Sequence, residues 1–216
     1  MPRLEGHRAG ARTVRDITTY CRELGVRYLT LYAFSSENWG RPEDEVNGLM
    51  QLLHDYLAEE RPTLLKNGIE LNTVGATDKL PLFVRAMLAG VREATKGQKD
   101  MRLTLALSYG SRDEMLRAVR SIARDVKSGA LSADAIDEKL FSSRLDTGDM
   151  PDPDLMIRTS GEMRISNFML WQLAYTELYV TPVAWPDFTR AQLDEAFATY
   201  AKRQRRFGLT GAQVSS

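Results

Sequence analysis

The amino-acid sequence predicts an α/β fold: a single domain with a mostly parallel central sheet flanked by helices. Segments with apolar residues at helical spacing alternate with short runs rich in β-branched, aromatic and leucine residues along most of the chain. Such alternation marks crossover connections, which bury parallel strands beneath helices. The chain has 216 residues, 43% of them hydrophobic and 27% charged, which suits one α/β domain with a core of its own. No repeat, low-complexity stretch or linker divides it, so residues 1–216 are expected to act as one unit.

Each element has its own signal. Ala11, Val14, Ile17, Cys21 and Leu24 form one stripe of a helix over residues 10–25, which Gly25 is placed to end. Residues 26–34 read as a buried strand, followed by a polar loop over 35–42. Helical spacing returns at Val46, Leu49, Met50, Leu53, Tyr56 and Leu57, with Glu43, Asp44 and Glu45 at the electropositive start. Asn67-Gly68 ends that helix, and Pro62 is expected to bend it. A strand over Ile69–Val74, a helix over Leu82–Thr95 and a strand over 101–107 come next. Met115, Leu116, Val119, Ile122 and Val126 mark a further helix. Short strands at 154–158 and Glu177–Val180 precede a last helix over 190–206. Sheets of this kind hold ligands beyond the carboxyl ends of their strands. Chemistry is therefore expected in the loops after Phe34, Leu107 and Arg158.

Composition narrows the function. Lysine plus arginine equals aspartate plus glutamate at 29 each, which argues against a general nucleic-acid binder. One cysteine, Cys21, excludes an internal disulfide framework and any multi-cysteine metal site. Two histidines, His7 and His54, make a histidine-based metal site a poor reading, while carboxylate binding of a hard cation stays open. No run approaches the roughly 20 apolar residues that span a bilayer, and the N-terminus has no apolar signal-peptide core. The chain reads as cytoplasmic. Phosphate loops of the G-x-x-x-x-G-K-[ST] and G-x-G-x-x-G kinds are absent, as is a G-x-S-x-G elbow.

Two loops stand out. Ser35-Ser36-Glu37-Asn38-Trp39-Gly40-Arg41-Pro42 gathers hydroxyls, an amide, an indole and a guanidinium at a strand's end. It reads either as a turn into a helix begun by Pro42 or as the lining of a ligand site. In the loop from Arg158 to Asn167, Arg158 and Arg164 flank a Ser-Gly turn. Both guanidiniums can meet one anion there, since the guanidinium fork matches phosphate oxygens; a salt bridge to Glu162 is the other reading. The segment from Arg3 to Gly10 is either a solvated leader or an anion site just before a helix start.

Taken together these loops resemble one family. Leu29-Thr-Leu-Tyr-Ala-Phe-Ser-Ser-Glu-Asn-Trp-Gly-Arg-Pro42, with Glu45-Val46, is similar to a signature of the cis-prenyltransferases. Asp152-Pro-Asp-Leu-Met-Ile-Arg-Thr-Ser-Gly-Glu-Met-Arg-Ile-Ser-Asn-Phe-Met-Leu-Trp-Gln172 resembles a second, continuing through Ala174 to Leu178, Trp185 to Phe188 and Arg205 to Gly208. Gly6 to Gly10 and Ser108 to Arg112 fit weaker positions; the family usually has Asn-Tyr-Gly-Gly-Arg at the latter.

The resemblance implies repeated condensation of isopentenyl diphosphate with an allylic diphosphate such as farnesyl diphosphate, with Mg2+ as cofactor. It implies a homodimer working at the inner membrane face, where a polyprenyl product must go. Arg3 and His7 would face the allylic diphosphate. Phe34, Ser35, Ser36, Glu37, Trp39 and Arg41 would line the reacting centre, where Asn38 would assist proton removal by positioning. Arg158, Arg164, Ile165 and Ser166 would hold isopentenyl diphosphate, Glu177 would join the magnesium, and the helices over 46–57 and 81–91 would wall the tunnel for the growing chain. The family's opening strand and its Met-Asp-Gly-Asn-Gly-Arg-Trp-Ala loop have no counterpart in this sequence. On that ground the 216-residue chain is expected to transfer prenyl groups poorly and to be poorly soluble. Two other readings are a non-catalytic subunit of the same family and a generic diphosphate- or RNA-binding module. The presence of Arg158, Arg164, Ser166 and Glu177 counts against the first, and zero net charge against the second.

Overall fold

The computed structural model describes residues 3–203, with side chains throughout except at residues 3–5 and 7. In chain order the elements are α1 (Arg3–Glu23), β1 (Tyr28–Ser35), α2 (Glu43–Lys66), β2 (Ile69–Val74), α3 (Leu82–Thr95) and β3 (Met101–Tyr109). There follow α4 (Ser111–Lys127), α5 (Glu138–Ser143), β4 (Leu155–Arg158), β5 (Glu177–Val180) and α6 (Arg190–Ala201).

Strand β3 is buried at every residue from Leu103 to Tyr109. Its near-continuous apolar run, Leu103-Thr-Leu-Ala-Leu107, is what a strand covered on both faces requires. It pairs in parallel with β1 on one edge and β2 on the other. Helix α3 packs Val84, Leu88 and Val91 into the same core, and α2 adds Met50, Leu57 and Leu64. Cys21 of α1 also lies in this core, its thiol pushed up to about 12 by burial.

All pairings are parallel, as the alternation predicts, but the strands form two sheets rather than one. The order is β1-β3-β2 in the first, and β4 pairs only with β5 in the second. Residues of β1 and of β4 line one large cavity between the sheets, about 1420 Å³ in volume.

Several boundaries differ from expectation for identifiable reasons. Helix α1 starts at Arg3 rather than at residue 10. Glycine is a poor helix former, but Gly10 is held by tertiary contact: Trp185 Nε1–H donates to its carbonyl at 3.1 Å. Residues 3–10 therefore do not precede a helix start. The first turn of α4 is polar and invisible to apolar periodicity, and α5 has too few apolar residues to show a period at all. Helix α2 runs on through Pro62. Helix α6 stops at Ala201, with Lys202 at its C-cap and Arg203 outside the helix, short of the expected residue 206; residues 204–206 lie outside the described ones.

A buried polar network ties the second sheet to the first. The Glu114 carboxylate, 1% exposed, accepts from the Tyr109 hydroxyl (2.6 Å), the Asp146 backbone N–H (3.0 Å) and the Gln172 amide (3.2 Å). Arg117 grips Asp146 through two parallel bonds of 2.8 and 2.9 Å, and Asp146 accepts from Gly75 N–H at 2.8 Å. Gly75 has φ +105, and any Cβ there would collide with the Leu107 carbonyl, so only glycine fits.

Burial holds the Glu114 carboxyl above its ordinary value, against the opposing pull of its hydrogen bonds to Tyr109 and Gln172. The folded state then binds this proton more tightly than the unfolded one. Its contribution to stability is complete below the ordinary carboxyl range and is lost as pH rises through the raised folded value. Glu114→Gln should remove that slope and, by facing an amide N–H toward donors, cost about 1–3 kcal/mol. Thermal melts of both proteins across pH 4 to 8 test this, and parallel curves would refute it.

Candidate active site

The loops after β1 and β4 converge on a small cavity of about 550 Å³. It is lined by Tyr32, Ser35, Glu37, Asn38 and Arg41 from one side and Arg158, Ser166 and Asn167 from the other. A short 3-10 turn at Ser36–Gly40 shapes the first loop: Ser35 N–H donates to Asn38 Oδ1 at 3.0 Å, and Arg41 N–H to the Asn38 carbonyl at 3.1 Å. Asn38 is thus fixed at the strand end with its side-chain oxygen engaged. Arg41 pairs with Glu45 at 2.9 Å.

Arg158 ends β4. Its Nη2 lies 3.4 Å from Ser166 Oγ, and its Nε is buried with no hydrogen-bond partner among the described residues. A buried guanidinium N–H left unmet is costly, and a phosphate or carboxylate oxygen is its natural acceptor. Glu37 offers the opposite charge. Burial acts to raise its carboxyl, but hydrogen bonds from the Asn167 amide, its own backbone and the Ser35 and Ser36 hydroxyls hold it below its ordinary value. The Tyr32 hydroxyl donates to the carbonyls of Tyr109 (3.1 Å) and Ser166 (3.4 Å). Burial, then the nearby Glu37 charge, pushes it up to about 12, so it is a fixed donor at neutral pH.

Backbone strain concentrates here. Ser108, Ser166, Asn167 and Met169 all have positive φ (48°, 54°, 60° and 46°). Such residues cost roughly 1–3 kcal/mol each and persist only where the surroundings over-determine them. Gly110 sits among them, and a Cβ there would lie 2.7 Å from Asn167 Nδ2 and closer still to Ser36 Oγ.

The structure gathers Ser35, Glu37, Asn38, Arg41, Arg158 and Ser166 around this cavity. Phe34 and Ile165 line the large cavity, which Asn38, Arg41 and Arg158 share, so the two spaces adjoin. Ser36 faces Gly110 instead. Arg164 lies outside both linings, mostly exposed and paired with Glu162 at 2.6 Å, the salt bridge that the loop's other reading anticipates. Glu177, at the start of β5, is paired with Arg203 at 2.7 Å. The side chains of Arg3 and His7 lie outside the described residues. Sequence reasoning missed Tyr32 and Asn167 as site residues; the alternation of β1 gives no sign of the former, whereas an asparagine in a turn is a mild signal for left-handed backbone.

The large cavity is walled by apolar side chains of α1, α2, β1 and β4, among them Val14, Leu29, Leu31, Leu49, Leu53 and Ile157. Helix α3, expected to wall it, contributes none of the lining and packs into the core instead. A cationic mouth opening on a long apolar space suits a molecule with an anionic head and a hydrocarbon tail.

Trp39 also departs from expectation. Its ring meets Phe34 edge-on with centroids 5.0 Å apart, its Nε1–H donates to Ser108 Oγ at 2.9 Å, and it packs against the core cluster. Trp39→Ala should therefore cost about 3 kcal/mol and lower the melting temperature by roughly 6–12 °C. An unchanged melt would return the ring to the ligand-lining role.

Comparison with known proteins agrees with this geometry. The profile of the family described as "Putative undecaprenyl diphosphate synthase" matches residues 1–208. The isoprenyl transferase of Geobacter sulfurreducens is 50% identical over 216 residues, covering 100% of this chain and 88% of its own. The ditrans,polycis-undecaprenyl-diphosphate synthase ((2E,6E)-farnesyl-diphosphate specific) of Xanthomonas axonopodis pv. citri is 48% identical over 99% of this chain and 83% of its own. Among solved structures, lavandulyl diphosphate synthase from Lavandula x intermedia, in complex with dimethylallyl diphosphate, superposes with a TM-score of 0.92 at 37% identity, over 95% of this chain and 89% of that one. A "probable undecaprenyl diphosphate synthase" from Campylobacter jejuni gives a TM-score of 0.82 at 34% identity, over 93% and 92%. The parallel α/β fold, the paired loops at the strand ends and these relatives together place the chain in the undecaprenyl diphosphate synthase family of prenyltransferases.

Proposed function

We propose that this prenyltransferase condenses isopentenyl diphosphate repeatedly onto an allylic diphosphate, farnesyl diphosphate or similar, to make a long-chain polyprenyl diphosphate such as undecaprenyl diphosphate with cis double bonds. The observation that carries this reading is the cationic mouth at the strand ends, with its unmet Arg158 Nε, opening on the large apolar cavity. The named activity of the Xanthomonas relative supports it.

In each round the allylic C–O bond breaks and diphosphate leaves. The isopentenyl double bond forms the new C–C bond, and a proton is lost from the carbon beside it. Arg158 and Ser166 hold the isopentenyl diphosphate, so its double bond is presented from a fixed anchor; such placement is a large part of the barrier reduction. Asn38, fixed by Ser35, stands where that proton departs and orients it. Arg41 and Glu37 line the same cavity beside Asn38. The apolar walls keep water from the allylic centre and receive the lengthening tail.

Magnesium is implied by the family resemblance. Glu177, paired with Arg203 in this structure, would hold it together with substrate diphosphate oxygens, since magnesium commonly takes one or two carboxylates and phosphate; there it would stabilise the charge that grows on the leaving diphosphate. Pairing with a second copy, a cytoplasmic location and contact with the membrane face belong to the same proposal, because the product is a lipid. No helix among the described residues is long and apolar enough to cross a membrane.

Arg158→Ala and Arg164→Ala should both weaken isopentenyl diphosphate binding more than allylic diphosphate binding. Arg158→Ala should show the larger loss, about tenfold to hundredfold for one charge-assisted contact. Calorimetric titration with each substrate decides it. Equal losses for the two diphosphates would mean that this loop serves the other substrate.

A further inference from the structure

We infer that Asn167 is a positioning residue that sets Glu37, and with it the whole loop after β1, against the diphosphate-binding loop after β4. The inference rests on the reading above for its functional meaning, but its contact is structural. Three demands meet at this one side chain.

The first is conformational. Ser166 and Asn167 are successive residues at positive φ, 54° and 60°, and asparagine tolerates that region better than other residues with a Cβ. The second is an acceptor. Asn167 Oδ1 receives the Arg112 N–H at 3.0 Å, and its carbonyl receives the Ser111 N–H at 2.8 Å. Both are N–H groups in the first turn of α4 that no helical carbonyl reaches. The third is a donor. With Oδ1 facing a group that can only donate, the amide has one orientation, and Nδ2 must point the other way. There it donates to Glu37 Oε1 at 2.9 Å. Gly110 leaves room for the amide to pass, since a Cβ there would lie 2.7 Å from Nδ2.

The consequence is a rigid link. The turn that carries Ser166, the partner of Arg158, also carries the amide that fixes Glu37 beside Asn38. Asn167 thus couples the isopentenyl anchor directly to the loop that carries the reacting centre, beside the Tyr32 hydroxyl that reaches the Ser166 carbonyl.

A double-mutant cycle on the 216-residue chain tests this, with isopentenyl diphosphate binding read by calorimetry. Asn167→Gly keeps the left-handed backbone and the net charge while removing the amide. It should weaken binding about tenfold or more when Glu37 is present, as loss of a hydrogen bond to a charged group does. In the Glu37→Ala background the same change should cost no more than about threefold. Equal losses in both backgrounds would reduce Asn167 to a cap of α4 and overturn the inference.

A second readout needs no substrate. The Glu37 carboxyl, followed by NMR titration, should move up in Asn167→Gly and also in Asn167→Asp, which keeps the acceptor for Arg112 and so the fold. An unmoved Glu37 would overturn the link. If the unmodified chain fails to bind isopentenyl diphosphate, the functional reading falls while the titration still decides the contact.

Discussion

A strand buried on both faces and paired on both edges can shed none of its polar groups to water, and β3 is in that position from Leu103 to Ala106. Each backbone N–H and C=O must find a partner, because an unmet buried one costs as much as a lost hydrogen bond. Parallel pairing with β1 and β2 meets this demand and brings the carboxyl ends of the strands to one side. Ser35 is opposite Tyr109 in the register, so the loop after β1 begins where β3 turns into α4. The candidate site is built on that coincidence.

The second sheet joins by other means. Two strands of four residues each are too short to hold a position by their own ladder. Their place is fixed by polar groups: the Glu114, Gln172 and Thr147 cluster on one side and the Tyr32 and Asn167 contacts on the other. Stacking of Tyr32 on Phe168, with centroids 4.5 Å apart, adds an apolar clasp. Arg158 is therefore positioned by contacts on the cavity side, from Tyr32 and Asn167, and by the Glu114 cluster behind it, and the strained turn from Ser166 to Met169 is tolerated because both flanks are anchored.

Much of this was legible in the sequence. Helix and strand alternation is a local property, and β2, α3 and β5 were read to the residue because strong apolar periodicity met clear Gly and Pro stops. The loops after Phe34 and Arg158 stand out by their residue types at strand ends, and the family resemblance chooses between their two readings. What escaped depends on contacts distant in sequence. Trp185 holding Gly10 in a helix and Trp39 donating to Ser108 result from packing that no window of neighbouring residues reveals, whereas the Arg164–Glu162 pair is local and is one of the two readings the loop's own sequence offers. Asn167 lies within the second motif, yet its partners Glu37 and Arg112 are supplied only by the fold.

The burial of Cys21 has a practical side. It is the sole thiol in the sequence, and only a thiolate reacts readily with alkylating reagents or oxidants. Buried against the large cavity, with its proton held up to about 12, it is expected to react slowly while the protein is folded. A cysteine introduced on the surface would be the single labelling point of the native molecule, and the onset of Cys21 reactivity would report when α1 leaves the core.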